Sequence, residues 1–237
     1  MGCKNSTFVL FYDSALAAPR TPGEEAIVPF DFKKEYRDLY QPKNKPSLVE
    51  VPPLRFLAVE GTGDPNEEGG AYQHALELLY GVAYTLKMSY KTSHAIPGFY
   101  QYVVPPLEGF WWQPEVAGVD YTNKASFHWI SVIRVPEFVG AADFGWALET
   151  ATAKKKLDFS PVRLIELDEG LCVQCMHIGP YDSEPETVAS MHEFAASQGY
   201  EPDFSDVRRH HEIYLSDPRK ANPAKMKTVV RHPIRKA

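Results

Sequence analysis

The residues best suited to chemistry stand near the C-terminus, in Arg208-Arg209-His210-His211-Glu212-Ile213-Tyr214-Leu215-Ser216-Asp217-Pro218. The segment reads as a strand closed by a turn. Side chains alternate faces along a strand, so His211, Ile213 and Leu215 share one side and His210, Glu212 and Tyr214 the other. The apolar set belongs on the core. A carboxylate and a phenol two residues apart then point together from the opposite face. Such a pair can grip a cationic or polarised ligand, or take a proton from water; the plainer alternative is an amphipathic edge strand with a solvated acid. The histidines are dispersed, with no second ligand at metal spacing, so neither a metal site nor a cofactor is expected. Cys172-Val173-Gln174-Cys175 has CxxC spacing within a strand-like run, where residues three apart face opposite sides. These thiols read as packing residues of a reducing cytoplasm.

Several elements must position these groups. Arg55 to Gly61 reads as the first clear strand, followed by a Gly-rich loop and a helix over 71–90 whose stripe is Leu76, Leu79, Val82, Ala83 and Leu86. Strands are expected over 102–112 and 125–135, then a connecting helix over 137–156. A strand over 171–179, a helix over 184–198 and strands over 208–215 and 225–232 complete the chain. Phe30 to Tyr36 reads as a short peripheral helix. Residues 1–28 form a leader, and 29–237 the folded domain.

Composition narrows the classes of function. The 237 residues are 44% apolar and 24% charged, the balance of a globular protein. A net charge of −6 argues against direct nucleic-acid binding, which needs clustered Lys and Arg. No apolar run of about 18 residues exists. Membrane attachment would depend on acylation of Gly2 and Cys3, which fit an acyl-anchor pattern; otherwise a cytoplasmic location is expected. Oligomeric state is open.

The chain repeats one plan: strand, glycine-containing turn, helix, strand, strand. The copies span about 47–136 and 163–235, and their ends match in Val132-Ile133-Arg134-Val135-Pro136 and Val229-Val230-Arg231-His232-Pro233. This implies an α+β fold of two tandem modules packed with pseudo-twofold symmetry around a ligand groove, with helices on one sheet face and the groove on the other. Overlaying the copies sets Trp112 where Tyr214 sits, Phe110 where Glu212 sits, and Trp111 against core-facing Ile213. The groove would then combine Trp112, Tyr214, Glu212 and Trp129. His210 lies on the Glu212 face, and Tyr181 could reach the groove. Glu184, at a helix start, reads mainly as a capping acid.

Four stretches together resemble the GyrI-like small-molecule-binding family: Pro106-Leu107-Glu108-Gly109-Phe110-Trp111-Trp112; Trp129 to Pro136 with Phe138; His177-Ile178-Gly179-Pro180-Tyr181-Asp182-Ser183-Glu184; and His211 to Pro218. The resemblance is closest to the stand-alone branch that includes cyclopropanoid cyclopropyl hydrolases. It implies a groove for planar aromatic or cationic small molecules, with Glu212 as the ligand-facing acid. On that basis Glu212 would act as general base and Tyr214 would serve the carbonyl as a strained cyclopropane opens, while Trp112 and Trp129 stack the planar rings. The alternatives are a non-catalytic binder that sequesters hydrophobic cations and a module that shields a protein partner such as DNA gyrase.

Overall fold

The strands of this chain are two-faced, and the fold follows from covering both faces. The computed structural model describes residues 28–237 except 115, 117–119 and 121. The expectations for the leader, including acylation at Gly2 and Cys3, lie outside the described residues, Val28 apart. Strands β1 (Ser47–Val51), β2 (Leu54–Thr62), β3 (Leu107–Trp112), β4 (His128–Arg134), β5 (Arg163–Leu167), β6 (Gly170–Ile178), β8 (His210–Tyr214) and β9 (Lys227–Lys236) build one antiparallel sheet. Their order is β1-β6-β9-β8-β3-β4-β2-β5, with the short β7 (Tyr200–Pro202) paired to β9.

Each half has the same internal order, β2-β4-β3 in one and β6-β9-β8 in the other, and the halves meet along the antiparallel β3–β8 pair. The outer strands cross over. β1, from the first half, pairs with β6 of the second, and β5, from the second, pairs with β2 of the first. The two halves therefore share both ends of one sheet.

Alternation along the strands sorts the core into two layers. On one face, Leu57, Val59, Trp111, Trp129 and Ile133 pack under helices α3 (Ala71–Lys87) and α4 (Ala141–Lys155). Val173, Cys175 and Val230 pack under α5 (Glu184–Ser197). Leu78, Leu79, Val82 and Leu86 form the buried stripe of α3, and each such side chain contributes about 1.5–3 kcal/mol by leaving water. On the other face, Phe56, Phe110, Val132, Cys172 and Ile213 are covered by the short helices α1 (Phe32–Glu35) and α2 (Arg37–Tyr40). That segment is not peripheral as expected: Phe32, Leu39 and Tyr40 are buried against the sheet. Cys172 and Cys175 do face opposite sides and are free thiols. Pro105 and Pro106 delay the start of β3 to Leu107, because a prolyl residue cannot donate to a ladder.

Candidate functional site

β8 lies in mid-sheet between β3 and β9, and its register fixes what each side chain meets. His210, Glu212 and Tyr214 point to the face that carries α3 and α5. The expectation that these groups would occupy the face opposite the helices is therefore corrected. An open depression of about 590 Å³ on the other face, lined by Asp31, Lys33, Met176 and Leu215 among others, includes none of the predicted site residues.

The partners on β3 are Gly109, opposite Glu212, and Trp111, opposite His210. A Cβ at Gly109 would lie 2.6 Å from Trp111 Nε1 and 3.0 Å from Tyr214 Oη. The bare glycine thus lets the indole lean across the strand, where Nε1 donates to Tyr214 Oη at 2.8 Å. Tyr72 of α3 lies over Trp111 (ring centroids 5.4 Å apart) and meets Trp129 edge-on at 5.1 Å. From the other side, Gly179 (φ +144°) turns the end of β6 into a single 3₁₀ turn at Tyr181–Ser183 and then α5, a backbone state that glycine adopts most readily. His177 braces this turn through Thr187 Oγ1 and the Pro180 carbonyl. Tyr181 then stands edge-on to Tyr214 at 6.0 Å, and Glu184 is fully buried beside His210. Glu212, 8% exposed, is surrounded on this face by Tyr72, Tyr181 and Tyr214, with Trp111 buried beside them.

The electrostatics are dominated by burial and by a second carboxylate. His210 Nε2 lies 2.9 Å from Glu212 Oε1 and 3.3 Å from Glu184 Oε1. Burial, reinforced by the Glu184 charge, raises Glu212 above the usual carboxylate range. For His210, burial works against the charged form. The hydrogen bonds to Glu184 and Glu212 outweigh it and push the imidazole up to about 10. Tyr214 is raised well above its ordinary value by burial and then by Glu212, as are Tyr72 and Tyr181, so all three phenols keep their protons. Tyr214 accepts from Trp111, and its phenol and the Glu212 carboxylate are close enough for each to shift the other. The arrangement sets a basic carboxylate beside a phenol that keeps its proton.

The structure sorts the predicted site residues unequally. Glu212, Tyr214, His210 and Tyr181 come together. Trp129 shares the helix-bearing face with Glu212, but lies 1% exposed beneath Tyr72, its ring filling the space left by Gly61. Phe110 and Trp112 stand on the other face, Phe110 stacked on His211 at 4.0 Å and Trp112 under the Arg209 guanidinium. Trp111, not Trp112, shares the face of Glu212 and Tyr214, so the overlay set the wrong face of β3 toward the site; a slip of one residue exchanges every face. Sequence reasoning also read Tyr72 as boundary packing beside the helix stripe and treated Glu184 as a cap. The pairing of Gly109 with Glu212 is the signal that would have fixed the register. The expectation that no histidine has further ligand-type groups near it is corrected: Glu184, His210 and Glu212 each bring one ligand atom within 4.8 Å of the others, with His210 Nε2 between the two carboxylates.

The family model of the GyrI-like small-molecule-binding domain matches residues 44–235. The chain belongs to this family. Among solved structures it is similar to a hydrolase from Listeria innocua, at 46% identity and a TM-score of 0.79 over 87% of this chain and all of that one. It is equally similar to an uncharacterized conserved protein from Listeria innocua, at 47% identity and a TM-score of 0.82, again over 87% and 100% of the two chains. None of the curated proteins matches it. As a GyrI-like domain it is a small-molecule binder, and among the described residues no helix is long and apolar enough to cross a membrane.

Proposed function

We propose that the chain hydrolyses the strained, electrophilic cyclopropane of a planar polycyclic xenobiotic held in the α3–α5 cleft. The observation that carries this reading is the buried Glu212 carboxylate, raised in basicity, bonded to His210 and on the same face as a phenol that is itself held by Trp111. The similarity to a Listeria innocua hydrolase supports it. In the reaction Glu212 takes a proton from water as the new C–O bond forms at the ring methylene. The breaking C–C bond releases its electron pair into the conjugated system, towards a carbonyl oxygen. Tyr214 gives that oxygen its proton and recovers one from Glu212, so the balance is the addition of one water. Trp111 and the rims of Tyr72 and Tyr181 supply flat apolar surface for the ligand. His210, charged between two acids, keeps Glu212 oriented.

A second reading is stoichiometric capture of hydrophobic cations. Glu184 and Glu212 together outnumber the single imidazolium beside them, and tyrosine faces attract cations. Incubation with a planar cyclopropanoid separates the two. Many equivalents of a product heavier by one water per protein support hydrolysis. Saturable binding without product would refute it and favour capture.

The matching strand orders support two modules, about 47–136 and 163–235, related by a twofold axis through the β3–β8 pair. The free buried thiols Cys172 and Cys175 support a cytoplasmic setting.

A further inference from the structure

The carboxylate pair does not end at His210. His210 Nδ1 lies 2.6 Å from Nε2 of His232 on β9, and His232 Nδ1 lies 2.8 Å from Nε2 of His192 on α5. His210 and His232 are buried, whereas His192 is partly exposed on α5. Both nitrogens of the two inner rings are engaged, and His192 keeps Nδ1 beyond the chain. An imidazole bonded at both nitrogens can accept a proton at one and release it at the other.

The chain has two self-consistent polarities. With His210 cationic, its Nδ1–H donates to His232 Nε2, His232 Nδ1–H donates to His192 Nε2, and His192 turns Nδ1–H outward. When His210 is neutral with Nε2–H held by the carboxylates, its Nδ1 must accept. His232 then donates from Nε2 and accepts at Nδ1, and His192 donates from Nε2. Passing one proton along the row converts one polarity into the other and leaves no ring unsatisfied.

We propose that His210, His232 and His192 form a proton path between the Glu184–Glu212 pair and solvent at α5, separate from the mouth of the ligand cleft. A ligand lying over Glu212 closes the carboxylate off from water on the cleft side, and this row leaves a second exit. The groups that face it are few. Glu212 meets Glu184 from α5, Tyr72 from α3, Tyr181, and His210 and Tyr214 of its own strand. Among the described residues the His232 ring meets the other two histidines and the ring of Phe204. Burial and then the His210 charge hold His232 well below the usual imidazole range, and His192 is lowered for the same two reasons. The middle of the path therefore rests neutral. The inference rests on Glu212 as the ionisable group of the site and holds whether that group is a base or a counter-charge.

The test uses the full chain labelled with ¹⁵N-histidine. Between neutral and alkaline pH, NMR should show the three rings exchanging tautomer at one shared midpoint. His192→Gln retains a hydrogen bond to His232 but cannot relay a proton. It should keep the melting temperature and slow exchange of the His210 and His232 ring protons with water by on the order of tenfold or more. His192→Ala with added imidazole should restore the rate. Separate midpoints with fixed tautomers, or unchanged exchange in His192→Gln, would overturn the path. An activity arm distinguishes the two readings: if a cyclopropanoid is turned over, His192→Gln should lower kcat and leave KM unchanged. A wild type that shows no turnover counts against the hydrolase reading alone, since the NMR arm still decides the path.

Discussion

β8 carries two adjacent histidines, and each stands between two glutamates. On one face His211 bonds Glu108 at 3.0 Å and Glu169 at 2.9 Å. Arg231 joins this group through Glu169 at 3.1 Å, and Gln174 and Tyr40 close it. On the other face His210 bonds Glu184 and Glu212. The first group has as many cations as acids and is sealed under α1 and α2. The second holds two acids to one imidazolium, opens onto aromatic surface and continues into further histidines. Matched charge and full hydrogen bonding make a buried network a structural element, whereas an unmatched carboxylate at the floor of a cleft retains basicity. Similar residue types on one strand thus serve different ends according to what the facing elements supply.

The largest effect should come from unbalancing the sealed face. Arg231→Met removes the cation that Glu169 requires and leaves a buried charge unpaired. Denaturant unfolding should show a loss of about 3–5 kcal/mol. If the loss is below about 1 kcal/mol, water reaches this network and the contrast between the faces fails. On the open face, Glu212→Gln removes one of two facing acids, so stability should not fall. Turnover of a cyclopropanoid should drop by about 100-fold or more while a neutral planar ligand still binds. For a cation binder the same change should weaken cationic ligands by roughly 1–2 kcal/mol and spare neutral ones.

Acid and alkali should separate the faces without mutation. Glu169 is buried, but the charges of His211 and Arg231 outweigh that burial and hold it at about 2, below its ordinary 4.5. Its stabilisation is complete above about 4.5 and is lost as pH falls towards 2. His210, up at about 10 from 6.5, stabilises fully below 6.5, and that contribution disappears as pH rises through 10. His211 is raised too and adds to the alkaline limb. Calorimetric scans across pH should show both limbs. Glu169→Gln should remove the acid limb while the His210 part of the alkaline limb persists; if the acid limb is unchanged, another carboxylate is its source.

Much of this site was legible because it is local. Alternation over His210 to Tyr214 assigns both faces of the strand, and the helices over 71–87 and 184–197 follow from the period of their apolar residues. What was not legible depends on distance. Nothing in the spacing says that Glu184 and His192 on one helix, and His232 on another strand, converge on His210. Nor does it say that β1 and β5 would each pair across the halves. The register of β3 failed for a different reason. Phe110, Trp111 and Trp112 are all aromatic, so no polar residue marks which face is which, and a slip of one reverses them all. The groove was placed on the face away from the helices on the symmetry of the repeat, but α1 and α2 take up that face with Phe32, Leu39 and Tyr40.

The smallest expected effects make the sharpest test of that register. Trp111 and Trp112 are neighbours, yet they face opposite sides of the sheet. Trp111 holds Tyr214 through Nε1 and lies under Tyr72, so Trp111→Leu loses both the hydrogen bond and the flat wall. Ligand affinity should fall by about 1–3 kcal/mol, and turnover with it. Trp112 lies under Arg209 and beside His128 on the far face, partly exposed. Trp112→Leu removes a surface cation–π contact, so stability should change by about 0.5–1 kcal/mol. Affinity and kcat should not change, because no atom of Trp112 faces the cleft. Isothermal titration of both variants with one planar aromatic compound reads the comparison directly. If Trp112→Leu weakens the ligand as much as Trp111→Leu does, the β3 register is wrong, and the cleft must be redrawn on the face now sealed by α1 and α2.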